Sequence, residues 1–313
     1  MTPEYQHRPV LLAETIQYLK INPAGIYVDA TIGGAGHASQ IAGLLSSDGL
    51  LIGIDQDQNA IAAARERLKN TVPKVELIRR NFVYIADILK ELNLSAVDGI
   101  LFDLGVSSPQ LDMEERGFSY KNDAPLDMRM DQTQPFSAAH LVNTAPVDEL
   151  AKILWDYGEE RFGKRIATLI DQYRREREIK TTGELAEIIK RAIPAATRRT
   201  GPHPAKRSFQ ALRIAVNHEL EFLRSGLEQA LSLLKPGGRL VVISFHSLED
   251  RIVKGSFTEW SQGCKCPRNI PVCICHQKPR VTVVTKKAVF PSPEEVSGNP
   301  RAHSARLRAV EKI

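Results

Sequence analysis

The 313-residue sequence contains no apolar run long enough to span a bilayer, and its first residues, Met1-Thr2-Pro3-Glu4-Tyr5, carry no apolar targeting core. The expected location is therefore the cytoplasm, with no membrane partner. Cysteine is scarce. All four residues fall in one short segment, as Cys264-Lys265-Cys266 and Cys273-Ile274-Cys275-His276. That clustering speaks for metal ligation over a disulfide framework distributed across the fold. No strong charge excess is present either: 42 Lys+Arg against 37 Asp+Glu leave a formal net charge of +5. So mild a basicity is compatible with a nucleic-acid substrate without establishing one. Internal repeats and low-complexity tracts are absent.

The most informative segment is Tyr27-Val28-Asp29-Ala30-Thr31-Ile32-Gly33-Gly34-Ala35-Gly36-His37. Ile26 to Val28 reads as the end of a buried parallel strand, the glycines let the chain turn closely around a ligand, and His37 to Leu45 reads as the next helix. A second apolar strand, Leu50 to Ile54, ends on Asp55, eighteen positions beyond His37. An acid there can accept both hydroxyls of an adenosine ribose, a group common to nicotinamide dinucleotides and S-adenosylmethionine (SAM). The glycine spacing favours SAM. A dinucleotide fingerprint starting at Gly34 needs glycine at position 39, where Ser39 stands, and one starting at Gly33 meets Ala35. Asp29 would also repel a pyrophosphate, but it can engage an ammonium. A dinucleotide-dependent oxidoreductase and a purely structural glycine turn remain the alternatives.

Strands and helices alternate through the first half. Asn59 to Leu68 places Ile61, Ala64 and Leu68 on one helical face, Val75 to Ile78 reads as a strand, and Tyr84 to Leu92 as a helix. Val97 to Asp103 is a fourth strand with an acid at its carboxyl end. This is a doubly wound α/β sheet. The alternation then stops. Asp148 to Trp155, Phe162 to Arg174 and Gly183 to Ala192 are amphipathic helices with no strand between them. The expected organisation is a sheet domain at 1–114 plus 208–313, interrupted by an all-helical domain at 115–207. Phe209 to Leu234 reads as one helix, stopped by Lys235-Pro236-Gly237-Gly238. Arg239 to Phe245 reads as a strand, and Val281 to Thr285 with Leu307 to Val310 as the last ones. Ser247, with Asp250 three residues on, reads as a helix cap.

Alternate residues of an extended chain face the same way, so Cys264, Cys266, Cys273 and Cys275 can offer four thiolates to one structural zinc, with His276 as a substitute ligand. An iron–sulfur cluster or free thiols are the alternatives. Basic residues are densest at Arg198-Arg199, His203 and Lys206-Arg207, and again at Arg301, Arg306 and Arg308. Both clusters are candidate RNA contacts, or else ordinary solvated faces.

Longer motifs narrow the choice. The segment Asp103-Leu104-Gly105-Val106-Ser107-Ser108-Pro109-Gln110-Leu111-Asp112, then Glu115-Arg116-Gly117-Phe118-Ser119 and Pro125-Leu126-Asp127-Met128-Arg129-Met130, resemble the signatures of the bacterial small-subunit ribosomal-RNA methyltransferase H family, also called MraW. Tyr157-Gly158-Glu159-Glu160-Arg161, Ser244-Phe245-His246-Ser247-Leu248-Glu249-Asp250-Arg251 and Asn299-Pro300-Arg301-Ala302 do so as well. The resemblance runs from His7 nearly to the end. It implies a class I SAM-dependent methyltransferase fold with an inserted all-helical domain, and methylation of N4 of a cytidine in the decoding region of 16S ribosomal RNA. The partner so implied is the small ribosomal subunit or a late assembly particle, and a monomer and a homodimer both stay open. Implied SAM contacts are Gly33, Gly34, Ala35, Gly36, His37, Asp55, Phe82, Asp103 and Gln110. Phe82 can pack on the adenine face or simply in the core.

Two departures from generic methyltransferase patterns stand out. Thr31 and Ala35 occupy positions where glycine is usual, and no Pro-Pro-aromatic element follows the fourth strand. Transfer to cytosine N4 needs the amine, whose lone pair is drawn into the ring, held in line with the sulfonium methyl. Asp103 is the first candidate for orienting it, followed by Ser107, Ser108 and His246. Asp103 could instead bind only the cofactor's amino-acid portion, and His246 could be structural. A non-catalytic SAM-binding RNA factor and a small-molecule methyltransferase are the readings of other classes.

Overall fold

In the computed structural model, residues 9–198, 203–263, 275 and 277–313 are described. The chain divides into two compact units, 1–105 with 220–313, and 106–219.

The first unit is built on a seven-stranded sheet of order β3-β2-β1-β4-β5-β7-β6. Its strands are β1 (Ile26–Asp29), β2 (Leu50–Asp55), β3 (Lys74–Arg79), β4 (Val97–Asp103), β5 (Leu234–Ser244), β6 (Val281–Val283) and β7 (Arg306–Lys312). Strands β1 to β5 pair in parallel, while β7 runs antiparallel to both β5 and β6. Alternating side chains send the central strands' apolar groups to opposite faces. On one face Tyr27, Leu51, Leu101 and Val241 pack with α1 (Leu12–Leu19), α2 (Gly36–Leu44) and α3 (Gln58–Leu68). On the other, Val28, Ile52, Ile100 and Phe102 meet α4 (Ile85–Glu91) and the two long helices Glu219–Leu233 and Ser247–Ser261. Phe102 is fully buried, and truncation to Ala would cost roughly 3–5 kcal/mol. The strand order reverses between β1 and β4, so the carboxyl ends of β1, β2 and β4 flank the crevice where such sheets bind ligands.

The second unit is helical. Helices α5 (Ser108–Asp112), α6 (Ala138–Thr144), α7 (Val147–Gly158), α8 (Gly163–Glu176), α9 (Thr182–Ala192), α10 (Ala195–Arg198) and α11 (Lys206–Asn217) belong to it. Leu150, Leu154, Ile166, Ile170, Leu185, Ile189, Phe209 and Leu212 form its core. Two buried side chains hold the long connection after α5. Arg116 donates to the carbonyls of Arg129 and Met130 at 3.0 and 3.1 Å. Asn217 donates to the Met128 carbonyl and accepts from the Met130 N–H, both at 2.8 Å.

Sequence and structure differ at several boundaries. The helical unit extends beyond 115–207 because Val106 and Leu111 pack on its core before position 115, and Phe209, Leu212 and Val216 supply that core after 207. The single helix expected over Phe209 to Leu234 is two, α11 and α12 (Glu219–Leu233). His218 adopts a left-handed conformation at φ 51°, with neither glycine nor proline to announce it. Strand β5 starts at Leu234 rather than Arg239, because Lys235-Pro236-Gly237-Gly238 forms an irregular stretch between the Val97–Leu234 and Gly99–Arg239 pairs. The cap of α13 (Ser247–Ser261) is His246 with Glu249, one residue earlier than the expected Ser247 and Asp250. The sheet is of the doubly wound α/β kind expected, and helices interrupt it between β4 and β5.

Candidate active site

Three carboxylates end neighbouring strands: Asp29 on β1, Asp55 on β2 and Asp103 on β4. After β1 the chain turns through Gly33, at φ +50°, and its N–H donates to Asp55 Oδ2 at 3.0 Å. The Asp57 N–H donates to Asp55 Oδ1 at 2.9 Å. Each Asp55 oxygen thus accepts a backbone bond, and the Gln56 N–H also supports the carboxylate. Asp57 in turn caps α3 through the Asn59 N–H. Gly34 faces open space, whereas a Cβ on Gly36 would stand 2.4 Å from Pro9 Cγ, so Gly36 permits a close approach of α2 to the chain before it.

The two non-glycine positions of this loop have structural reasons. Thr31 Oγ1 accepts the Asp103 backbone N–H at 2.7 Å, a bond that glycine could not make. Ala35 is buried and left-handed at φ 58°, the residue before α2. It holds a conformation that costs an L-residue roughly 1 kcal/mol or more.

Burial raises Asp29 from the ordinary 3.8 to about 7, against the opposing pull of His37 and the Thr31 N–H. Burial likewise raises Asp55 to about 6, partly offset by the Asp57 and Gly33 N–H groups. His37, buried at the start of α2, places Nε2 2.9 Å from the Val10 carbonyl oxygen and Nδ1 3.4 Å from Asp103 Oδ2. Burial opposes charge on this ring, but Asp103, Asp29 and the Val10 carbonyl outweigh it and raise its pKa. The remaining oxygen of Asp103, Oδ1, is buried with no hydrogen-bond partner among the described residues. A buried orphan acceptor beside two further carboxylates suits a ligand that brings an ammonium, an amine and hydroxyls. SAM with an amine acceptor has these groups.

Phe82, half-buried after β3, packs edge-on against Phe102 with centroids 5.3 Å apart, and a Cβ on Gly226 would meet its ring at 2.8 Å. Core packing therefore accounts for one side of the ring. Ser107 and Gln110 belong to the helical unit, where they make a reciprocal cap. The Ser107 N–H donates to Gln110 Oε1 at 3.0 Å, and the Gln110 N–H to Ser107 Oγ at 3.4 Å. The Ser108 side chain lies outside the described residues. His246 is engaged at the start of α13: Nδ1 accepts the Glu249 N–H at 3.4 Å, and Nε2 is 3.1 Å from Glu249 Oε1. The capping bond is the structural role left open for His246, while its Nε2 is buried without a hydrogen-bond partner among the described residues.

Of the four cysteines, Cys275 is half-buried; Cys264, Cys266 and Cys273, with His276, lie outside the described residues, and so does the zinc site expected on them. Among the basic candidates, Lys206 and Arg207 are exposed, and Arg207 donates to the Glu159 carbonyl at 3.1 Å. His203 stacks flat on Tyr120 at 4.5 Å, and Arg199 lies outside the described residues. Arg306 and Arg308 are not a free basic cluster. Both bind Asp250, at 3.0 and 2.7 Å, and they lower its pKa against the cost of its burial. Thr31, Asp57 and the Val10 carbonyl are contributors that sequence reasoning missed. Backbone bonds leave no residue-type signal, and Thr31 registered only as a missing glycine. Among the described residues no helix is long and apolar enough to cross a membrane.

Comparison with known proteins covers the whole chain. The family model described as the MraW methylase family matches residues 4–313. A protein of Brevibacillus brevis named "Ribosomal RNA small subunit methyltransferase H" is 56% identical over 312 residues, covering 100% of this chain and 99% of its own length. One of the same name from Symbiobacterium thermophilum is 55% identical over 309 residues, covering 99% and 97%.

Proposed function

Since the chain belongs to the MraW methylase family, we propose that this methyltransferase transfers a methyl group from SAM to N4 of a cytidine in the decoding region of 16S ribosomal RNA. The observation that carries the proposal is a full-length family match in a chain whose fourth strand ends on a buried, unpartnered carboxylate oxygen. Relatives of more than half identity carry a name that specifies small-subunit ribosomal RNA, and on that ground the substrate is assigned.

When bound, SAM supplies a methyl already activated by its sulfonium. The tasks left to the chain are holding and orienting. Asp55 accepts the ribose hydroxyls, its carboxylate held in place by the Gly33, Asp57 and Gln56 N–H groups. The 33–36 turn brings backbone close to the ligand, and Asp29 adds negative charge suited to an ammonium. Asp103 Oδ1 accepts an N–H, from the cofactor's ammonium or from the cytosine amine. As acceptor for the amine, it orients N4 and stabilises the positive charge that grows there. Phe82 offers its uncovered side to the adenine.

The target base must leave its stack to reach such a site, which is easier in single-stranded or strained RNA. The helical unit, with Lys206 and Arg207 exposed, is the proposed RNA-recognition element, and the small subunit or a late assembly particle in the cytoplasm is the proposed partner. Nucleoside analysis of small-subunit RNA after reaction with labelled SAM tests the assignment.

A further inference from the structure

Both ring nitrogens of His37 face acceptors. The Val10 carbonyl oxygen can only accept, so Nε2 must carry hydrogen. Beside an ionised Asp103, a neutral ring would then turn the bare lone pair of Nδ1 toward Oδ2, setting two acceptors against each other in a buried place. Protonating Nδ1 as well removes the conflict and makes a buried imidazolium–carboxylate pair. Among the described residues the charged groups that face the ring are all acids: Asp103 at the end of β4 and Asp29 at the end of β1, with Asp55 on β2 coupled to Asp29. No cation among them competes with the imidazolium.

The other constraints on Asp103 point the same way. Its backbone N–H is held by Thr31, its Oδ2 by His37, and only Oδ1 lacks a partner. We propose that His37 is a positioning residue for Asp103: as a doubly donating imidazolium it fixes Oδ2 and thereby presents Oδ1 to an N–H donor of the bound ligand. The nature of that donor, the ammonium of SAM or the amine of the acceptor base, rests on the proposed methyl transfer. The protonation state of the ring does not. The positive ring also supplies the counter-charge that a carboxylate in so acidic a buried cluster needs.

Nitrogen NMR of the full chain labelled in histidine, without ligand, tests the first half, with the His37 signals identified by their loss in His37→Gln. At pH 7 both ring nitrogens of His37 should be protonated, with a titration midpoint above the ordinary value of about 6.5 that moves down in Asp103→Asn. A bare Nδ1 at pH 7 overturns the proposal, whatever the protein catalyses. The second half rests on two substitutions. His37→Asn keeps an amide donor near the place of Nδ1, and His37→Gln keeps one near Nε2 instead. With both variants folded, His37→Gln should lose about tenfold or more in SAM affinity or in rate at saturating SAM, and His37→Asn should recover most of the loss. Loss in affinity identifies the cofactor's ammonium as the donor, and loss in saturated rate identifies the acceptor amine. Equal behaviour of the two variants overturns the positioning role. A wild-type protein that methylates no RNA overturns the proposed function and leaves the NMR result standing.

Discussion

Thr31 Oγ1 accepts the backbone N–H of Asp103 at 2.7 Å, tying the end of β1 to the end of β4 across the point where the strand order reverses. Thr31→Val keeps the shape and removes the acceptor, leaving that N–H without its partner. The expected cost is roughly 1–3 kcal/mol in urea unfolding. Thr31→Ser, which retains the hydroxyl, should recover most of it. Equal stability of the valine variant and the wild type would show that the bond contributes nothing.

Asp55→Ala should weaken SAM binding by roughly 1–3 kcal/mol in calorimetry, because the ribose hydroxyls lose a charged acceptor. The pH dependence follows from burial, which raises Asp55 to about 6. Only the ionised form accepts from both hydroxyls, so wild-type affinity should fall as pH drops through about 6. Asp55→Asn should lack that acid limb. An unchanged dissociation constant in a folded Asp55→Ala protein would remove Asp55 from the ribose site.

Asp29 should make the ligand-free protein less stable as pH rises. Its folded pKa, about 7, lies above the ordinary 3.8, so the folded state binds the proton more tightly than the unfolded one. Stability is then lost between pH 3.8 and about 7 and levels off above. Asp29→Asn cannot ionise and keeps an oxygen for the Thr31 N–H. Relative to wild type it should gain on the order of a few kcal/mol from pH 5 to pH 8, less the support Asp29 gives to His37. Thermal unfolding at the two pH values checks this, and a difference that shrinks with rising pH would contradict it.

In the helical unit, Asn217→Ala should destabilise by roughly 2–4 kcal/mol, since it strips partners from the Met128 carbonyl and the Met130 N–H inside the core. Denaturant unfolding reads the effect. A change within about 0.5 kcal/mol would mean that Asn217 contributes little to holding the connection.

The parallel strands were legible because buried strands read as short apolar runs ending in acids: Leu50 to Asp55 and Val97 to Asp103 appear in the structure with those limits. Asp55 and Asp103 were legible as strand-end acids for the same reason. The helical unit showed in its amphipathic spacing, but its limits did not, because Val106 and Phe209 join its core as single apolar residues at the ends of other motifs. The break at His218 was hidden because a left-handed histidine looks like any helical residue in sequence. The joint engagement of His37 by Val10 and Asp103 depends on long-range packing, which no local pattern encodes. His246 read from sequence either as a site residue or as structural, and the helix cap it makes left no signal to separate the two, since a histidine before a helix can take either duty.

The most direct test of the central claim is nucleoside analysis after transfer. Small-subunit particles lacking the modification are incubated with this protein and methyl-labelled SAM, and their RNA is digested to nucleosides. The expected result is label in N4-methylcytidine, lost or much reduced in Asp103→Ala after its SAM binding has been measured separately. Label confined to another base, to carbon 5 of cytosine or to protein would contradict the proposed reaction.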